Sequence, residues 1–192
     1  MNLTKALLGT IIKYPVSSLE ICKDSGDIRT KKMGYFYADK DNFEDVQQST
    51  GTCGRRHPPT FLLEAADDIA YKTADIEDAV KKGCISYDRL LAELKGFCAD
   101  RQTDRYRQIV SWLEERYYKG VERGYSGPDQ YAVQNWIISA QGQMIAGVTD
   151  CFTEHYGAIM DGTYGKDMFA GTDVELLMEA LGDIAYRYAF DT

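Results

Sequence analysis

The stretch Arg55 to Gly83, RRHPPTFLLEAADDIAYKTADIEDAVKKG, decides the fold. Most of its residues favour helix, its one Pro pair stands near the start, and Gly83 follows Lys81 and Lys82, whose charges suit a helix C-terminus. The pattern predicts a helix over Thr60 to Lys82, with Thr60 as its N-cap. Asp67, Tyr71, Asp75 and Asp78 recur at spacings of four, four and three and so share one face. Leu62, Ala65, Ala66, Ile69, Thr73, Ile76 and Val80 form the opposite stripe, apolar enough to enter a core. A line of acids and a phenol on a rigid element is how a metal or polyol site is presented. The run Asp75, Glu77, Asp78 is equally the pattern of a solvated helix face.

Outward from this helix the periodicity stays helical and strand signals are scarce. Leu3, Leu7, Ile11 and Tyr14 mark a short helix over 3–14, stopped by Pro15. Residues 16–35 are irregular and hold a basic cluster, Lys23, Arg29, Lys31 and Lys32. A helix over 40–50 has Asp41 as a plausible cap, Phe43 and Val46 facing inward, and Gly51 behind it. Ser86 opens a helix through Phe97, and Thr103 or Asp104 another through Arg123. A long helix over Gln130 to Met160 follows the GYSGP turn. The loop Asp161 to Gly171 contains Gly and Lys but lacks the phosphate-binding G-x-x-x-x-G-K-[ST] spacing, and Thr172 or Asp173 caps a last helix to about Tyr188. Short connections and the lack of an internal repeat predict one all-α, multi-helix bundle over 1–192.

Composition narrows the function. With 192 residues, 44% hydrophobic and 27% charged, the chain has the make-up of a globular domain with a real core. A net charge of -8 argues against a sequence-independent grip on nucleic acid, which needs Lys and Arg on phosphates. Five cysteines, widely spaced and without a C-x-x-C pair, indicate neither a zinc knuckle nor a disulfide framework, and suit a reducing, cytoplasmic setting. No apolar run approaches the roughly 20 residues that cross a bilayer. His57 before Pro58 reads as a turn-orienting residue and His155 as a helix-edge one. Trp112, Trp136 and the 14 tyrosines are by default core or interface mass.

At RHPPTFLLEAADDIAY followed by TADIEDAVKKG the chain resembles bacterial deoxynucleoside triphosphate triphosphohydrolases, the dGTPase-like branch of the HD-domain phosphohydrolases. LTKALLGTIIKYP at 3–15, the K-x-G-[FY]-F element Lys32-Met33-Gly34-Tyr35-Phe36, and VQNWIISAQGQMIAGVTDCF at 133–152 extend the likeness over about nine-tenths of the chain. The resemblance implies an HD-type bundle, with 1–100 belonging to the catalytic region and 101–192 forming a C-terminal helical region. The family's His and His-Asp metal ligands have no counterpart, since the only histidines are His57 and His155 and neither precedes an Asp. The chain is therefore expected to be the middle and C-terminal part of a longer member, without the N-terminal HD half and without catalytic residues of its own.

The resemblance further implies hydrolysis of a dNTP, dGTP favoured, to deoxynucleoside and triphosphate with a divalent metal, Mg or Mn, that activates water. Asp67 matches a metal ligand. Tyr71 matches a residue facing sugar and phosphate, and Asp75 the acceptor of the sugar 3′-hydroxyl. Lys32 is a triphosphate contact, Tyr35 belongs to the same element, and Trp136 stands where the family places an aromatic against the base; many relatives have Arg at the position of Ile137. A homo-oligomer, a nucleotide or single-stranded DNA effector and the absence of a membrane partner also follow. The competing expectation is a non-catalytic nucleotide-binding or oligomerisation module.

Overall fold

Ser86 and Thr103 do what their sequence positions promise: Ser86 Oγ accepts from Arg89 N at 3.2 Å, and Thr103 Oγ1 accepts from Tyr106 N at 3.1 Å, each satisfying an orphan N–H of a first helical turn. A computed structural model of the chain describes residues 3–190. Its architecture is all-α: α1 Lys5–Ile11, α2 Lys40–Thr50, α3 Pro59–Lys81, α4 Tyr87–Gly96, α5 Asp104–Glu122, α6 Pro128–Glu154, α7 Tyr156–Met160 and α8 Glu175–Ala185, followed by a π-helical turn, Tyr186–Phe190. Short 3₁₀ turns fill the irregular segment before α2, and the one β pairing among the described residues is an isolated bridge between Ser17 and Tyr35.

Boundaries differ from expectation where tertiary partners intervene. Pro59 is the first residue of α3, a position that needs no N–H. Thr60 lies inside the helix, and its hydroxyl donates to Thr10 O at 2.9 Å instead of capping. Asp39 rather than Asp41 precedes α2, and Val174 precedes α8, neither with a side-chain cap. The long helix expected to reach Met160 breaks at His155, whose ψ of 12° leaves the helical range, so α7 is a separate turn. Gly51 and Gly83 take the left-handed φ values, 71° and 75°, that the helix-ending glycines were expected to supply.

Two compact units result. The first holds the residues through Asp67 together with Val148–Ala170, and the second holds Asp68–Gly147 with the residues from Gly171 onward. Residue 100, where the sequence suggests a change of region, lies inside the second unit.

In the first unit α1 lies on α2, tied by Lys5 to Asp45 at 2.6 Å and to Ser49 at 3.0 Å. The Tyr35 ring stacks on Phe43 with centroids 4.0 Å apart, and Phe61 meets Tyr164 edge-on at 5.6 Å. Gly34 N–H donates to Val16 O at 3.0 Å, and a Cβ on Gly34 would overlap the carbonyl of Tyr14, so the K-x-G glycine is fixed by backbone packing. The core of the second unit is a set of fully enclosed side chains: Ile76 of α3, Leu90 and Leu94 of α4, Ile109 and Leu113 of α5, Trp136 and Met144 of α6, Leu177 and Leu181 of α8. Their burial supplies the main stabilisation, roughly 1.5–3 kcal/mol for each large apolar side chain taken from water. Polar atoms within it are paired: the Tyr106 hydroxyl donates to Leu94 O at 2.7 Å, and Gln141 donates to the Thr73 hydroxyl at 2.8 Å.

Candidate functional site

Helix α3 forms because its buried residues, Phe61, Ala65, Ile69, Thr73, Ile76 and Ala79, recur at spacings of three and four. Four of the seven positions expected on the apolar stripe are buried, namely Ala65, Ile69, Thr73 and Ile76. Leu62 and Ala66 are instead exposed, and Phe61 takes the inward place beside Ala65. That rotation leaves the acids on the accessible side, and what each acid touches separates them.

In the first unit, Asp67 is half-buried and its Oδ2 accepts from Lys13 Nζ at 2.7 Å. Glu64, one turn earlier, holds the buried Arg56: Nη1 donates to Glu64 Oε2 at 2.7 Å while Nε donates to Lys13 O at 2.7 Å. The guanidinium carbon of Arg56 lies 5.2 Å from the centre of the Phe61 ring and 5.7 Å from that of Tyr14. Arg56 thus grips both the segment bearing Lys13 and the first turns of α3, and it positions the Lys13 to Asp67 pair. His57 Nδ1 pairs with the Thr10 hydroxyl at 3.1 Å, and burial holds its imidazole below the ordinary histidine range, so it is neutral near pH 7.

In the second unit, Tyr71 is exposed and Asp75 is partly exposed. Glu77 pairs with Lys81 and accepts from Gln134, and Asp78 pairs with Lys82. The Asp75 carboxylate makes no hydrogen bond or ion pair within the described residues, which distinguishes it from its neighbours as an acceptor still available to a ligand.

Lys32 and Tyr35 belong to the first unit. Lys32 is exposed, and Tyr35 lies half-buried with its hydroxyl 3.4 Å from Glu20 Oε2. Burial, followed by the negative charge of Glu20, holds the Tyr35 phenol above its ordinary range, so it stays a neutral donor.

Trp136 corrects an expectation. It is 0% exposed, and its indole N–H donates to Ile109 O at 2.8 Å, so it is a structural member of the second unit's core and not an accessible wall against a base. Ala132, Val133, Ile137, Ala140 and Met144 are buried on the same side of α6, and this periodicity was the signal that could have placed it. Ile137 is buried in the same stripe.

The donor set bears on a metal directly. Among the described residues no three of His, Cys, Asp and Glu come together in a way that would hold an ion, so the residues present do not complete a metal centre around Asp67. Among the described residues, Asp67 meets the ammonium of Lys13.

Sequence reasoning missed Arg56 and Lys13. The first was visible only as part of an Arg-His-Pro element. The second pairs with an acid 54 positions away and had no local signal.

No protein-family model matches the chain. Curated proteins do match it. A deoxyguanosinetriphosphate triphosphohydrolase-like protein of Listeria monocytogenes is 38% identical over 191 residues, covering 99% of this chain and 39% of that protein. The deoxyguanosinetriphosphate triphosphohydrolase of Yersinia enterocolitica is 26% identical over 200 residues, covering 100% of the chain and 38% of the relative. A deoxyguanosinetriphosphate triphosphohydrolase-like protein of Synechocystis is 35% identical over 118 residues, or 55% of the chain. The chain spans about two-fifths of the length of the first two of these relatives. Matched along its whole length in this way, and with the acid-bearing helix α3 at its centre, the chain belongs to the family of deoxyguanosinetriphosphate triphosphohydrolase-like proteins.

Proposed function

We propose that this chain supplies one part of a metal-dependent dNTP triphosphohydrolase. Asp67 contributes one carboxylate ligand to a divalent ion, Mg or Mn, whose other ligands come from outside the described residues. Asp75 accepts a hydrogen bond from the sugar hydroxyl, Tyr71 offers a phenol and a ring face to sugar and phosphate, and Lys32 with the neutral Tyr35 faces the phosphates. The observation that carries the reading is the whole-length match to relatives named for dGTP triphosphate hydrolysis, running through the motif that holds Asp67.

Local chemistry supports the division of roles. Asp75 is the unpaired acceptor, and a carboxylate accepting from a sugar hydroxyl forms a charge-assisted bond stronger than a neutral one. Asp67 already holds a cation, Lys13 Nζ at 2.7 Å, so a metal ion there competes with an ammonium for the same oxygen. A single carboxylate is too few ligands to hold Mg or Mn firmly, because such ions demand a near-complete oxygen shell.

Two measurements test this. The pure chain, assayed with dGTP and Mg²⁺ or Mn²⁺, is expected to release no triphosphate; robust turnover would mean that the metal site is complete within it. Calorimetric titration with dGTP is expected to show weak binding that Asp75→Asn reduces by about threefold to tenfold, the size of a lost charge-assisted hydrogen bond at a partly exposed site. No heat at millimolar dGTP, or binding indifferent to Asp75→Asn, would remove the sugar-contact role.

A further inference from the structure

The first unit contains a cavity of about 410 Å³, apart from the residues assigned above. Two sequence-distant segments build it: the basic stretch 16–35, which contributes Lys23, Gly26, Asp27, Ile28 and Lys31, and the loop 161–171, which contributes Lys166 and Asp167. Neither segment has a part in the proposed hydrolase chemistry through these residues.

The charges around this cavity run against the chain. The protein carries a net -8, yet three ammonium groups line one concavity. Lys23, Lys31 and Lys166 are all exposed, and none makes an ion pair or hydrogen bond within the described residues. The two acids in the lining are otherwise engaged. Asp27 receives Arg29 through both oxygens, with Nε at 3.0 Å and Nη2 at 2.7 Å. Asp167 Oδ1 accepts the backbone N–H groups of Phe169 and Ala170 at 2.8 and 2.9 Å. The acids are thus held by their own loops, while the ammonium groups have no protein partner among the described residues.

We infer that this cavity binds an oligophosphate anion through Lys23, Lys31 and Lys166. Ammonium groups act as point charges suited to phosphate oxygens, whereas planar, forked recognition of a carboxylate is the work of arginine, and the nearby guanidinium, Arg29, is occupied by Asp27. Three such charges around one volume match a chain of phosphates better than a single ion. The walls offer little to a base or ring: Gly26, Gly165 and Ala170 are small, and Ile28 is the one large apolar lining residue. Recognition is therefore of the phosphates and not of a nucleoside.

The full chain titrated with sodium tripolyphosphate at low salt is expected to bind one equivalent, and the affinity is expected to fall as NaCl is added, since the charges are solvent-exposed. Lys31→Gln and Lys166→Gln, chosen from the two segments, should each weaken binding by about 1.5-fold to fivefold, the range for one exposed charge contact. Lys95→Gln, whose lysine pairs with Glu114 in the second unit, should leave it unchanged. Circular dichroism confirms that each variant is folded. Binding of dGTP no tighter than of tripolyphosphate, with none of deoxyguanosine, supports phosphate recognition; much tighter dGTP binding that survives both substitutions overturns it and points to the α3 residues. Absence of saturable tripolyphosphate binding, or equal loss in Lys95→Gln, also overturns the inference.

Discussion

Arg56→Ala should destabilise the first unit by about 3 kcal/mol, the low end of the 3–5 kcal/mol typical of breaking a buried ion pair from one side. The Arg56 side chain is 1% exposed and that of Glu64 18%, so the substitution strands a carboxylate that water reaches only in part. The bond from Nη1 to Glu64 is a charged one, of order 1.5–3 kcal/mol, and that from Nε to the Lys13 carbonyl adds roughly 1 kcal/mol or more. Contacts over Phe61 and Tyr14 bring a further ~1 kcal/mol between them. Against this, Arg56 Nη2 is buried without a hydrogen-bond partner in the described structure, a cost that the substitution removes, and this offset keeps the estimate near 3 kcal/mol. Urea denaturation followed by far-UV ellipticity is the assay, with the midpoint expected to fall at unchanged slope. Arg56→Met combined with Glu64→Met should recover more than half of the loss, because two apolar groups replace a desolvated pair while only the bond from Nε to the Lys13 carbonyl is given up. A loss below about 1 kcal/mol for Arg56→Ala, or a double variant worse than the single, would refute the view that this arginine is held for its charge and its bonds.

Trp136→Phe should cost about 1–2 kcal/mol, from the lost indole bond to the Ile109 carbonyl and a small cavity, while leaving dGTP affinity unchanged; a selective loss of affinity would return Trp136 to the ligand site. Gly147→Ala places a Cβ 2.7 Å from Val174 Cγ2, an overlap expected to lower stability by about 1–3 kcal/mol and to be relieved in the double variant with Val174→Ala, read as melting temperatures. Glu93 accepts from Arg187 and Tyr188, and these bonds hold its carboxyl at about 2, below the ordinary 4.5. Because the folded value is depressed, the contribution is fully present above pH 4.5 and is lost as pH falls from there through about 2. Glu93→Gln should therefore flatten that part of a stability-against-pH curve, and an identical acid limb in both proteins would contradict the assignment.

Helices were legible because their signals are local. Ser86, Thr103, Gly51 and Gly83 act within one turn of themselves, and the apolar period of α4, α5 and α8 needs only one helix to be seen. Where a residue answers to a distant partner, the local reading slipped. Thr60 has the chemistry of a cap, yet Thr10 O, 50 positions away in sequence, takes its hydroxyl. The apolar face of α3 was placed by counting Leu62 and Ala66 inward, and the packing of Phe61 on Tyr164 turns it. The interleaving of the two units was beyond sequence reach for the same reason: Val148–Ala170 returns to the first unit through contacts that no period records.

The candidate site divides along the same line. Asp67, Tyr71 and Asp75 could be placed on one face from the sequence because a helix repeats itself every 3.6 residues, which fixes their facing without knowledge of anything else. What tells them apart is not periodic. Asp67 is engaged by Lys13, Glu77 by Lys81 and Gln134, Asp78 by Lys82, and Asp75 is left open. An acid's availability depends on which cations the fold brings to it, and that is a tertiary property even when its position is a helical one. The motif therefore identifies the line of acids, and the ion pairs decide which member is open to a ligand as it stands and which already holds an ammonium.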